Sequence, residues 1–169
     1  MHKILEKKIG DSMGESEWLQ VTQEEITKFG VVTKDVEPLH TDVDWCKKNS
    51  PYKVPIAYGF QTISLLTWFM HDASGAMFSG DENSENFPLN YGFNKLRLIT
   101  PVRVNSFLRA KFTLAHIEEK RPGELLITAN VVVEIKGQER PALVGEWLLL
   151  WVTGVGTQQV ARSLNTKKQ

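Results

Sequence analysis

The second half of the chain alternates. From Ser106 to Glu118, Leu108, Ala110, Phe112 and Leu114 fall on one face and Arg109, Lys111 and Thr113 on the other. A period of two is the mark of a half-buried strand. The pattern returns from Leu125 to Lys136, with Ile127, Ala129, Val131, Val133 and Ile135 on one side, and from Leu143 to Thr153, with Trp147, Leu149 and Trp151. Tyr91 to Ile99 reads as a further strand, closed by Pro101. The connections Arg121-Pro122-Gly123-Glu124 and Lys136 to Pro141 carry turn residues. Successive strands on short turns favour an antiparallel meander.

The first half follows a different period. Thr22-Gln23-Glu24-Glu25 is a capping box, so a helix is expected from about Gln23 to Val32 with Ile26, Phe29 and Gly30 inward. Before it, Trp18, Leu19 and Val21 anchor an extended arm. After it, Pro38 and its neighbours argue for a loop. Asp42 or Asp44 can cap a short helix through Lys48. A long helix then runs from Ala57-Tyr58-Gly59-Phe60 to roughly Phe78, with Phe60, Ile63, Leu65, Leu66, Trp68, Phe69 and Met70 nearly all around it. A helix apolar on most faces sits inside something. One such helix followed by an antiparallel sheet has a natural solution, in which the sheet curls around the helix. The expected class is α+β with a wrapped helix.

The chemistry concentrates in Asp35-Val36-Glu37-Pro38-Leu39-His40-Thr41-Asp42. On a curled loop the Asp35 carboxylate and the His40 imidazole can converge and hold a water, one group taking its proton and the other giving or taking one. A solvated turn before a helix uses the same residue types, and spacing alone leaves both readings open.

Composition narrows the setting. At 169 residues one domain is expected over 1–169, its core spanning about 10–153 and a polar tail following over 154–169. Lys+Arg and Asp+Glu both number 20. That balance offers no basic excess for nucleic acid or an anionic membrane surface, so neither is an expected partner. The N-terminus lacks the apolar core of a signal peptide. Cys46 stands alone, so no intrachain disulfide can form and a reducing, cytoplasmic setting is expected. No His or Cys pair stands at ligand spacing and no GxGxxG occurs, so neither a metal nor a nucleotide redox cofactor is expected. Cys46 near His40 reads as a small buried residue rather than a nucleophile.

Three motifs resemble the MaoC-like dehydratases of the hotdog fold, which include (R)-specific enoyl-CoA hydratases, and within them the nodulation protein N branch. Asp35-Val36-Glu37-Pro38-Leu39-His40-Thr41-Asp42 is similar to the family's Asp-x-Asn-Pro-Leu/Ile-His-x-Asp. Ile56-Ala57-Tyr58-Gly59-Phe60-Gln61-Thr62 resembles its Ile-Ala-His-Gly-x-x-Thr, and Asn90-Tyr91-Gly92-Phe93-Asn94-Lys95-Leu96-Arg97 with Pro101-Val102 resembles a strand of the nodulation-type branch. The resemblance runs from about Gly10 to Thr153.

It implies hydration of an acyl thioester, most directly trans-2-enoyl-CoA to (R)-3-hydroxyacyl-CoA, or the reverse dehydration. Asp35 is then the general base, and His40 shares the water and helps deliver a proton. The Gly59 N–H serves the thioester oxygen, where a helix N-terminus favours negative charge. Tyr58, Glu37, Thr67 and Arg97 are the further substrate-binding candidates, Arg97 for coenzyme A phosphates. The basic strand residues Lys95, Arg103, Arg109 and Lys111 share that possibility with the plainer role of a solvated sheet face. The expected partners are an acyl-CoA or acyl-carrier thioester and a second copy, as a homodimer with a higher oligomer left open. No cofactor beyond the thioester carrier is implied. Two departures stand out: Glu37 replaces Asn, and Tyr58 replaces His. They keep two other readings open, a thioesterase on the same fold and a non-catalytic acyl-thioester-binding or assembly module.

Overall fold

The computed structural model of the protein describes residues 6–75 and 87–152. Alternation becomes sheet as expected. β1 (Ser12–Glu15) and β2 (Leu19–Gln20) come from the N-terminal arm, followed later by β3 (Phe87–Leu98), β4 (Phe107–Arg121), β5 (Glu124–Ile135) and β6 (Leu143–Val152). All pairings are antiparallel. The order is β1-β4-β5-β6-β3, with β2 also on β4. The meander therefore holds for β4, β5 and β6. β3 departs from it, lying against β6 with Phe87 opposite Val152 and Leu98 opposite Leu143. The connection from β3 to β4 is not a hairpin. It is tied to the segment before the central helix, where Ala57 N–H donates to the Val102 carbonyl and Val104 N–H to that of Pro55. This carries the chain across to the far edge of the meander.

The first helix, α1 (Gln23–Thr33), begins with the complete capping box and ends on Lys34 in the left-handed conformation, φ 63°. Its bounds match expectation within a residue. The loop expected at Pro38 needs correcting. Pro38–Thr41 is a single helical turn, α2, with Pro38 as its first residue. At that position a fixed φ and a missing N–H cost nothing. Asp42 then caps α3 (Val43–Asn49) through the Trp45 N–H at 2.8 Å.

The central helix is two pieces, α4 (Gly59–Ser64) and α5 (Leu66–Ser74). They join at Leu65, whose N–H still reaches the Gln61 carbonyl at 3.1 Å. The expected continuation to Phe78 lies outside the described residues beyond Gly75. Burial is also less even than the apolar composition implies. Leu66, Phe69 and Met70 are buried, as are the polar Gln61 and Thr62, whereas Phe60 is 77% exposed and Trp68 41%. One face of the helix is covered by the sheet, and the other presents aromatic rings outward.

The core forms where alternation said it would. Leu108, Ala110, Phe112 and Leu114 meet Ile127, Ala129, Val131 and Val133, with Trp147, Leu149 and Trp151 beside them. Both tryptophans are 3% exposed. Phe69 and Leu66 cover this surface from α5. Each such side chain removed from water contributes about 1.5–3 kcal/mol. α5 comes so close to β1 that a Cβ on Gly14 would stand 2.2 Å from the Ala73 carbonyl oxygen. A sheet curled on one helix in this way is the hotdog arrangement.

Candidate active site

The Asp35–His40 segment holds its shape with no fully buried residue: Asp35 to Glu37 are exposed and Pro38 to His40 half-buried. Directional bonds shape it instead. The Asp35 N–H donates to the Gly30 carbonyl at 2.9 Å. The Asp35 carboxylate accepts the Glu37 N–H at 3.3 Å, a local turn of the kind aspartate favours. His40 N–H closes onto the Glu37 carbonyl at 3.0 Å. From α1, the Gln23 side-chain amide donates to the His40 carbonyl at 2.8 Å.

The imidazole is fixed from below. His40 Nδ1 lies 2.7 Å from the Ile56 carbonyl oxygen. A carbonyl only accepts, so Nδ1 carries the proton. In the neutral ring Nε2 is then the free basic nitrogen, and in the charged ring it is the available acid. His40 lines a cavity of about 230 Å³ together with Gly59, Thr62, Leu98, Thr100, Val102 and Ala142. Gly59 opens α4, and among the described residues nothing accepts its N–H. A Cβ there would meet the Leu98 methyl at 2.3 Å. Glycine is what lets the helix start come up against the cavity wall.

Tyr58 faces inward. It is 4% exposed, and its hydroxyl donates to the Asp35 carbonyl at 2.5 Å. Its ring lies 3.8 Å from the His40 ring, tilted by 30°, and 5.4 Å from that of Phe29. Burial pushes its ionisation upward, and the nearby Asp35 and Glu37 carboxylates add to this, so the hydroxyl stays a donor.

The other candidates lie apart. Thr67 borders a second cavity of about 100 Å³ with Met70, His71, Pro88, Leu89 and Trp147. It stands eight residues beyond Gly59, about 12 Å along a helical path. Arg97 is exposed on β3, and neither it nor Arg103 has an ion-pair partner among the described residues. Arg109 and Lys111 are committed elsewhere, both bridging Glu15 and Glu134. Lys95 pairs with Glu146 at 2.5 Å. Cys46 is fully buried and its Sγ reaches the Pro38 and Leu39 carbonyls at 3.5 and 3.3 Å. Burial, with Asp42 nearby, raises its thiol, so it braces α2 and is no nucleophile. Ser64 bonds back to the Phe60 carbonyl at 2.8 Å.

Sequence reasoning did not find several residues that build the site. Gln23 and the Ile56 carbonyl give no sequence signal. Gly30 did give one: a glycine inside a helix costs about 1 kcal/mol against alanine and hints at a close approach. A Cβ on Gly30 would sit 2.2 Å from the Tyr58 hydroxyl and 2.6 Å from the Asp35 carbonyl oxygen.

No helix of the described residues is long and apolar enough to cross a membrane. No cluster of three or more potential metal ligands occurs among them.

A sheet wrapped on a helix, with His40 and Gly59 lining one cavity, is the setting in which the comparisons with known proteins fall. The model of the MaoC like domain matches residues 5–135, and the chain belongs to this family of hotdog-fold dehydratases. It is 33% identical over 156 residues to "Nodulation protein N" of Rhizobium leguminosarum bv. viciae, covering 89% of this chain and 92% of that protein. It is likewise 33% identical over 143 residues to "3-hydroxyacyl-thioester dehydratase Z" of Mycobacterium tuberculosis H37Rv, with 85% and 90% covered. Among solved structures, the (R)-hydratase of A. caviae involved in PHA biosynthesis superimposes with a TM-score of 0.66 at 19% identity, over 85% of this chain and 96% of that one. At that identity the likeness speaks for the fold.

Proposed function

We propose that the protein is a hydratase or dehydratase of acyl thioesters, interconverting a trans-2-enoyl thioester and its (R)-3-hydroxyacyl counterpart. The observation that carries this reading is the shared cavity. One apolar pocket is lined both by a histidine whose Nδ1 is held by the Ile56 carbonyl and by a helix-opening glycine whose N–H has no acceptor among the described residues.

In the hydration direction Asp35 takes a proton from water as the water oxygen bonds to C3. The double bond's electrons move toward the thioester, and negative charge gathers on its oxygen. The Gly59 N–H stabilises that charge, a contribution that matters most where water is excluded. His40 enters as the charged imidazolium, meets the water through its Nε2–H and delivers that proton to C2, which leaves Asp35 protonated and His40 neutral. Return of the proton from Asp35 to His40 through solvent resets the pair, so the net change is one water added across the bond. The acyl chain runs along the joined helix toward Thr67, and Arg97 receives carrier phosphate outside the cavity. Glu37, beside Asp35 in the same turn, contacts the substrate from the loop side. Coenzyme A and an acyl-carrier pantetheine present the same thioester.

The working form in this reading is a homodimer. β3 ends the sheet with Leu89, Tyr91, Phe93 and Leu98 each more than a third exposed, and Phe60 and Trp68 on the central helix are also uncovered. An unpaired apolar edge is removed by pairing with a second copy.

The first experiment is loss of enoyl absorbance when the protein meets crotonyl-CoA and a longer trans-2-enoyl-CoA, with Asp35→Asn alongside. Turnover in wild type and its loss in the variant is the expected result. Equal rates in the two would overturn Asp35 as the base. Release of free thiol without hydration would identify a thioesterase instead, and saturable binding without turnover a binding module.

A further inference from the structure

Tyr58 stands where the loop, the central helix and α1 meet, and it is absent from the cavity wall. Its hydroxyl sits in a notch that exists because position 30 has no side chain. From there it reaches the main-chain carbonyl of Asp35 and does not occupy the carboxylate, whose protein partner is the Glu37 N–H. Its ring meanwhile lies against the imidazole of His40. The two ends of the Asp35–His40 segment therefore touch the same buried side chain, one through a hydrogen bond and one through a tilted ring contact. Phe29 backs the ring on α1, and the Gly30 carbonyl holds the Asp35 N–H, so the notch and the segment are tied to one helix.

We propose that Tyr58 is a positioning residue, whose hydroxyl pins the Asp35 backbone and whose ring braces the His40 imidazole, setting base against acid without touching substrate. This rests on Asp35 and His40 being that pair. A residue of this kind acts on the geometry of the reacting groups, so it governs turnover more than substrate affinity. It also explains how tyrosine fits a position that adjoins the amide-donating glycine: only the backbone of Gly59 faces the cavity there, and the side chain of its neighbour is free to serve the loop.

Two variants separate the two contacts. Tyr58→Phe keeps the ring and loses the hydroxyl, and Tyr58→Leu loses both. Proton NMR of the His40 ring, assigned by comparison with His40→Gln, reads the ring contact through its ring-current shift. The shift is expected to persist in Tyr58→Phe and vanish in Tyr58→Leu. Amide exchange at Asp35 and Glu37, whose N–H groups are bonded to the Gly30 carbonyl and the Asp35 carboxylate, reads the pin and is expected to quicken in both. An unshifted His40 in wild type, or exchange unchanged in Tyr58→Phe, overturns the brace whether or not the protein proves to be a hydratase.

On an enoyl thioester that wild type turns over, Tyr58→Phe is expected to lose about tenfold in kcat, the scale of one hydrogen bond, with KM unchanged. Tyr58→Leu is expected to lose about a hundredfold, the scale of a misplaced catalytic group. A raised KM with kcat intact would make Tyr58 a substrate contact, and both constants unchanged would leave it no role. If no enoyl thioester is turned over, the hydratase reading fails, while the NMR and exchange results still decide the brace.

Discussion

The inner face of the β4–β6 meander and the Asp35–His40 segment are specified by different physics. The sheet face is a run of fully buried apolar residues whose register follows from alternation, since a slip of one position would turn Phe112 and Val131 toward water. The loop segment has no fully buried residue in its helical turn and relies on single bonds from Gln23, Ile56, Gly30 and Tyr58. The difference implies that stability and chemistry are separable here. Damage to the sheet should cost folding and leave the chemistry of surviving molecules intact. Damage to the loop should do the reverse.

The sharpest test lies in the loop. Asp35→Asn and His40→Gln should each cut turnover of an enoyl thioester by about 100- to 10,000-fold, the range of a lost acid or base. Their thermal midpoints should stay within a few degrees of wild type. A collapse of folding in either would erase the contrast. On the other side, Phe112→Ala should cost about 3–5 kcal/mol in denaturant unfolding, with kcat per folded molecule near wild type.

Smaller effects sharpen the comparison. Thr22→Ala removes the cap of the helix that carries Gln23 and Gly30, and about 1 kcal/mol of stability should go with it in urea titration. The smallest effect concerns pH. Burial works to raise the Glu134 carboxyl, but hydrogen bonds from Lys111 and Arg109 outweigh it, and the net shift is downward. A carboxylate lowered on folding adds stability above its unfolded value, about 4.3, and loses it as pH falls through the folded value. Thermal midpoints should therefore drop less between pH 5 and pH 3 in Glu134→Gln than in wild type.

Much of this architecture is legible in the chain. The three meander strands, their buried faces, the capping box on α1 and the aspartate cap on α3 all follow from local patterns with one physical cause each. The position of β3 does not, because pairing with β6 is decided by how the 99–106 connection is tied to Pro55 and Ala57, a contact between distant segments. The exposure of Phe60 and Trp68 was likewise hidden, since apolar composition does not say which face a sheet will cover. At the site, the motifs brought Asp35, His40 and Gly59 forward as candidates. The inward turn of Tyr58 depends on the empty place at Gly30, and no spacing rule connects residues 30 and 58.

The placement of β3 also bears on the order of assembly. β4, β5 and β6 find their partners across short connections, whereas Phe87 must wait for Val152, and the cavity wall at Leu98 and Thr100 closes only when Ala142 and Leu143 arrive. Distant closures come late because chain entropy must be lost before contacts compensate it. During synthesis the segment that walls the pocket leaves the ribosome well before its partner, with its aromatic residues uncovered. Pulsed hydrogen exchange during refolding should find β3 amides protected after those of β4 and β5, and protection at the same time would show that the edge strand is recruited early.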